Sequence, residues 1–115
     1  MAFNDLDRKR IEKAIEGFLA KRRPPPHVRP ELDIGCRLVD QSVEILEIRP
    51  QWNDKSIVHE QPVAKATYVM SKNVWKVFWM RADLKWHGYK TDSSVATIED
   101  FLKVVDADEF GCFWG

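Results

Sequence analysis

Lys21, Arg22, Arg23, His27 and Arg29 place four fixed cations and a histidine within nine residues. Pro24, Pro25, Pro26 and Pro30 interleave with them. Proline fixes φ and removes a backbone donor, so the spacing predicts a stiff, extended connector of polyproline type over 24–30. Guanidinium groups held on such a connector contact successive phosphates or carboxylates at low ordering cost. Trp52, Tyr68, Trp75 and Trp86 supply stacking surfaces for bases wherever they point outward. The competing reading has these arginines closing the preceding helix and pairing with Glu31, Asp33 or the acidic C-terminal segment.

A second candidate chemistry rests on carboxylates. Glu31 and Asp33, then Glu47-Ile48-Arg49 on the next strand, resemble, faintly, the PD-(D/E)xK pattern of metal-dependent nucleases. There, an acid and a Glu-x-Lys on a hairpin partner bind a divalent cation and activate water. Arg49 stands where that pattern has lysine, and a guanidinium is no base near neutral pH. Leu32 precedes the aspartate, and the expected crossover helix is missing. Charged residues on the solvated face of a strand give the same letters.

A third group comprises Lys76, Lys85, His87 and Tyr89, which a hairpin places along one groove beside Phe78. A solvated sheet face that resists aggregation is the plainer account of it. His27, His59 and His87 are isolated, and no Cys-x-x-Cys or His-x-x-x-His pair occurs, so no metal site is expected. Cys36 shares the apolar face of its strand with Leu32, Ile34 and Leu38 and reads as a small core residue, not a nucleophile. The five glycines are scattered singly, which leaves no phosphate-cradling loop and no expected cofactor.

These residues sit on 115 residues, enough for one domain over 1–115. Eighteen basic side chains balance eighteen acidic ones, which excludes a disordered polyelectrolyte and a globally basic nucleic-acid binder. The balance is uneven along the chain. Residues 1–30 carry +4, 31–91 carry +1 and 92–115 carry −5. A basic front and an acidic end attract each other within or between copies, or the basic end meets an anionic partner. No apolar run is long enough to cross a membrane, the N-terminus does not read as a signal peptide, and two distant cysteines make no disulfide framework. A cytoplasmic setting is the expectation.

Two helices bracket the strands that must position these groups. Asn4 caps a helix whose stripe is Ile11, Ala14, Ile15, Phe18 and Leu19. A period of two then marks strands over 32–38 and 74–81, residues 43–49 are apolar on both faces as in a central strand, and further strands are expected over 63–70 and around Trp86 and His87. Pro50 is expected to end the second strand and residues 51–62 to form a loop. Tight turns at Asp40-Gln41, Ser71–Asn73 and Ala82-Asp83 argue for antiparallel hairpins, the last setting Trp79 opposite Trp86 and Phe78 opposite His87. Thr97 starts a second helix with stripe Ile98, Phe101, Leu102 and Val105, and FGCFWG closes the chain as an apolar segment. The fold class is α+β: an N-terminal helix, an antiparallel meander of about five strands, and a C-terminal helix.

The segments KRRPPPHVRPELDIG, VEILEIRPQW, VAKATYV, VWKVFWMRADLKWHGY and FGCFWG resemble, over nearly the whole chain, a small bacterial family catalogued as domain of unknown function 3024. The resemblance implies a bacterial, single-domain protein of about this length and carries over no catalytic residue. From the residues themselves, the expected function is a non-enzymatic binding module whose arm over 21–30 contacts nucleic acid or an acidic protein surface. The alternatives are a metal-dependent hydrolase using Asp33 and Glu47, and a subunit of a homo-oligomer joined through the apolar C-terminus.

Overall fold

A computed structural model describes residues 3–114. Helix α1 runs Asp5–Arg22, and the Asn4 side chain accepts a 2.8 Å hydrogen bond from the Asp7 amide at its start. Asp5 and Asp7 in the first turn, and Lys21 and Arg22 in the last, both suit the helix dipole. Ile11, Ile15 and Phe18 form the buried stripe that the spacing predicts.

The sheet comprises β1 (Asp33–Val39), β2 (Ser42–Gln51), β3 (Asp54–Val69), β4 (Val74–Met80) and β5 (Trp86–Gly88), antiparallel neighbours in meander order. A two-residue strand, β6 (Ser94–Val95), also pairs with β4. Helix α2 (Ile98–Ala107) follows, capped by Thr97 and burying Ile98, Phe101, Leu102 and Val105. The expected α+β architecture is therefore the observed one.

One hydrophobic cluster joins both helices to alternate residues of the sheet: Ile34, Val43, Ile45, Ala64, Ala66, Trp75 and Val77. Because successive strand residues point to opposite faces, both helices pack on this one face. Among the described residues the opposite face carries no helix.

Three local expectations are corrected. Pro50 does not end β2: it pairs with Val58, and residues 51–62 form no loop. Instead β2 and β3 continue past the core as a two-stranded ribbon turning at Trp52 and Asn53. The pairing of β1 ends at Asp33 opposite Ile48, so Pro50 lies on a free edge where its missing N–H breaks no ladder bond. Residues 52–61 are all exposed, Trp52 at 91%.

The second correction concerns the connector. Residues 26–31 are not extended. They form consecutive turns, with Val28 N–H donating to Pro25 C=O at 2.9 Å and Leu32 N–H to Val28 C=O at 3.0 Å. The φ that proline fixes is near the value a turn requires, so turn geometry accommodates these prolines as well as polyproline does.

The third is a register. The β4–β5 link is longer than two residues and uses Leu84 in the left-handed region (φ 62°), with Leu84 N–H bonded to Arg81 C=O. A turn closed by a left-handed residue shifts the pairing. Phe78 therefore faces Gly88, Trp79 faces His87, and Met80 faces Trp86.

The C-terminal segment packs back on its own chain. Asp108, left-handed at the end of α2, accepts the Phe113 and Trp114 amides at 3.0 and 3.1 Å. Phe113 is buried against Tyr89 (4.9 Å between centroids), and Trp114 Nε1 donates to Val105 C=O. Most of this apolar segment is therefore used within its own chain, while Phe110 is left exposed.

Candidate anion-binding face

The arginines of the 21–30 segment meet the chain's own acceptors. Arg23 Nε and Nη2 reach both carboxylate oxygens of Asp33 at 2.8 and 2.7 Å, a fork-to-fork pair. Arg22 Nη1 lies 3.3 Å from Asp106 Oδ1, its guanidinium 4.6 Å from the Trp114 ring centroid. Arg29 is half-buried and donates to Pro24 C=O at 2.9 Å. Lys21 and His27 remain exposed. The picture of an outward cationic strap is corrected accordingly: a basic helix end is neutralised by Asp33 and by the acidic α2, as the charge asymmetry allows.

The Arg23 hydrogen bond, with the Ile34 amide also donating, holds the Asp33 carboxyl below its ordinary value of 3.8. A depressed folded-state pKa contributes stability above the unfolded pKa, and that contribution is lost as pH falls through the folded value. Urea midpoints of the natural chain and of Asp33→Asn are therefore expected to differ at pH 7 and to converge below pH 3.8. A gap that persists undiminished at the acid end would exclude this pair as its source.

The hydrolase constellation does not assemble. Asp33 is opposite Ile48 and Glu47 opposite Ile34, so the two side chains alternate to opposite faces of the sheet. Asp33 is held by Arg23, and Arg49 lies 3.3 Å from Glu47. The third group also separates. Lys76 lies on the helix-free face, whereas His87 is opposite Trp79 and contacts Asp83 at 2.9 Å. Lys85 belongs to the preceding loop, and Tyr89 is in the core, where burial pushes its hydroxyl pKa up. Cys36 is a core neighbour whose thiol is pushed up to about 12 by burial, so it carries almost no thiolate near neutrality.

What the fold does bring together lies on the helix-free face. One row across the strands reads Arg37, Glu44, Lys65, Phe78 and Gly88. Arg37 Nε and Nη2 both donate to Glu44 Oε1, at 3.0 and 2.8 Å. The Lys65 ammonium stands 5.0 Å from the Phe78 centroid and 4.8 Å from that of Trp86. Ring quadrupoles attract a cation at this range, so two aromatic rings hold this lysine in place. The adjoining row contains Ser42 and Thr67, hydrogen-bonded at 2.8 Å, then exposed Lys76 opposite Ser94. A Cβ at Gly88 would meet nothing within 4 Å, so open space adjoins Phe78.

Sequence reasoning missed Lys65 and Arg37. The strand alternation that puts Lys65 and Thr67 on the face of Lys76 and Phe78 was available, but the slipped β4–β5 register set His87 where Gly88 stands.

The sequence pattern described as Domain of unknown function (DUF3024) matches residues 3–115, effectively the whole chain. The chain belongs to that family. No curated protein and no solved structure matches it, so the DUF3024 face described above has to be read from its own chemistry. Among the described residues no helix is long and apolar enough to cross a membrane.

Proposed function

We propose that this DUF3024 protein is a non-enzymatic interaction module that binds single-stranded nucleic acid on the helix-free face of its sheet. The observation that carries the reading is Lys65, held between Phe78 and Trp86 on a face that no helix covers. Cations that track a phosphate backbone beside aromatic rings that stack on bases are the two components of sequence-tolerant single-strand binding. Arg37, Lys65 and Lys76 supply three cations against the single carboxylate of Glu44 in these two rows. A chain of zero net charge gains no long-range attraction, so binding depends on this local patch and is moderate in strength. We place the role in the cytoplasm, in keeping with two free thiols at Cys36 and Cys112.

Fluorescence anisotropy of labelled, mixed-sequence single strands of about ten nucleotides tests the proposal. Affinity is expected at low salt and is expected to fall steeply as salt rises. Absence of binding at low salt, with retention instead of a polyglutamate chain, would replace nucleic acid by an acidic protein partner and overturn the reading.

A further inference from the structure

A cleft of about 450 Å³ opens between the first half of α1, the β3–β4 turn and the start of α2. It belongs to the helix-packed side of the sheet, apart from the cationic face, and its size falls within the range of about 300–1,000 Å³ typical of small-molecule sites. Phe3, Tyr68 and Trp75 form its aromatic wall, with Trp75 5.4 Å from Phe3 and 5.2 Å from Tyr68 between centroids. Asp7, Arg10 and Asn73 stand at its polar rim.

We propose that this cleft binds a small aromatic zwitterion, of which an aromatic α-amino acid is the simplest form. Asp7 and Arg10 are three residues apart on α1, a spacing that puts them on one helix face. They do not pair with each other. Arg10 leans instead toward Glu99 at 3.8 Å, with its side chain 71% exposed, a loose surface pair that a ligand carboxylate readily replaces. Asp7 has no ion-pair partner among the described residues. One anionic and one cationic group side by side, next to a wall of rings, match an ammonium and a carboxylate carried on one carbon beside an aromatic ring. The Tyr68 hydroxyl donates to Asn73 Oδ1, which leaves the Asn73 amide N–H groups as further donors at the rim.

Titration of the ¹⁵N-labelled protein with L-phenylalanine, read at the Trp75 indole N–H, tests the assignment. Saturable shifts are expected. N-acetylphenylalanine, which lacks the ammonium, and phenylalaninamide, which lacks the carboxylate, are each expected to bind about fivefold more weakly or worse. Asp7→Asn should weaken phenylalanine while leaving N-acetylphenylalanine unchanged, and Arg10→Gln should do the same for phenylalaninamide. No shift at the Trp75 indole up to the solubility limit would overturn the proposal. So would equal binding of all three compounds, which would reduce the cleft to a ring-binding wall. The two derivatives are tested on the unaltered chain, so the proposal stays falsifiable even if a variant fails to fold.

Discussion

Phe101→Ala is expected to lower the stability of the fold by about 3–5 kcal/mol. Phe101 is fully buried and is the largest side chain in the core with no exposure. It sits in the middle of α2, the helix that contacts α1, β3, β4 and β6, so its cavity would open where these elements meet. The first turn of α2 is already fixed by Thr97, so the helix keeps its start and the surroundings cannot easily collapse into the void. Partial relaxation of this kind is what raises the cost above simple transfer of the ring. Against a total of about 5–15 kcal/mol for a domain, the loss is a large share, and the thermal midpoint should fall by about 10 °C or more. Urea unfolding gives the measurement, with a lowered midpoint and an unchanged slope. Phe110→Ala, at an exposed ring, is the internal control and should change stability by no more than about 0.5 kcal/mol. A Phe101→Ala loss no larger than that of the control would mean that α2 does not seat this ring in the core.

The parts of the fold legible in the sequence are those whose burial imposes a period. Ile11, Ile15 and Phe18, and Ile98, Phe101, Leu102 and Val105, repeat at helical spacing because each stripe faces the sheet. Asn4 and Thr97 announce their helices because each side-chain oxygen accepts a first-turn amide. The ribbon over residues 52–61 was hidden for the opposite reason. Both of its faces meet solvent, so no alternation of polarity is imposed on it. Its strongest cue was Ser56-Ile57-Val58, a short run containing two β-branched residues, set against a proline that ordinarily argues for an ending. The β4–β5 register depended on one backbone angle at Leu84, a residue type that rarely adopts the left-handed region. Composition carries no trace of it. The candidate site was half legible for a related reason. Lys76 and Phe78 could be assigned to their face from strand period alone. Whether Arg22 and Arg23 point outward depended on where Asp106 and Asp33 come to lie, 84 and 10 residues away along the chain.

That last distinction separates two accounts of anion binding by a single experiment. Lys65→Ala/Lys76→Ala is expected to weaken single-strand binding by about tenfold or more at low salt and to flatten its salt dependence. Each phosphate contact releases counterions, and for single strands each contributes about 0.7 to the slope of log affinity against log salt. Loss of two contacts should therefore reduce that slope by about 1.4. Trp86→Leu acts through the other component. It removes a ring half-exposed beside Lys65, and stacking contributes about 1–3 kcal/mol per base, so affinity should drop at every salt concentration. Arg22→Gln/Arg23→Gln provides the contrast. Those guanidiniums already face Asp106 and Asp33, so the double variant should leave the salt slope unchanged and lower the urea midpoint instead. If the slope responds to the Arg22/Arg23 change and not to the Lys65/Lys76 change, phosphates contact the basic end of α1, and the sheet face is solvated surface. If neither pair alters it while binding persists, the contact is not to a phosphate backbone at all.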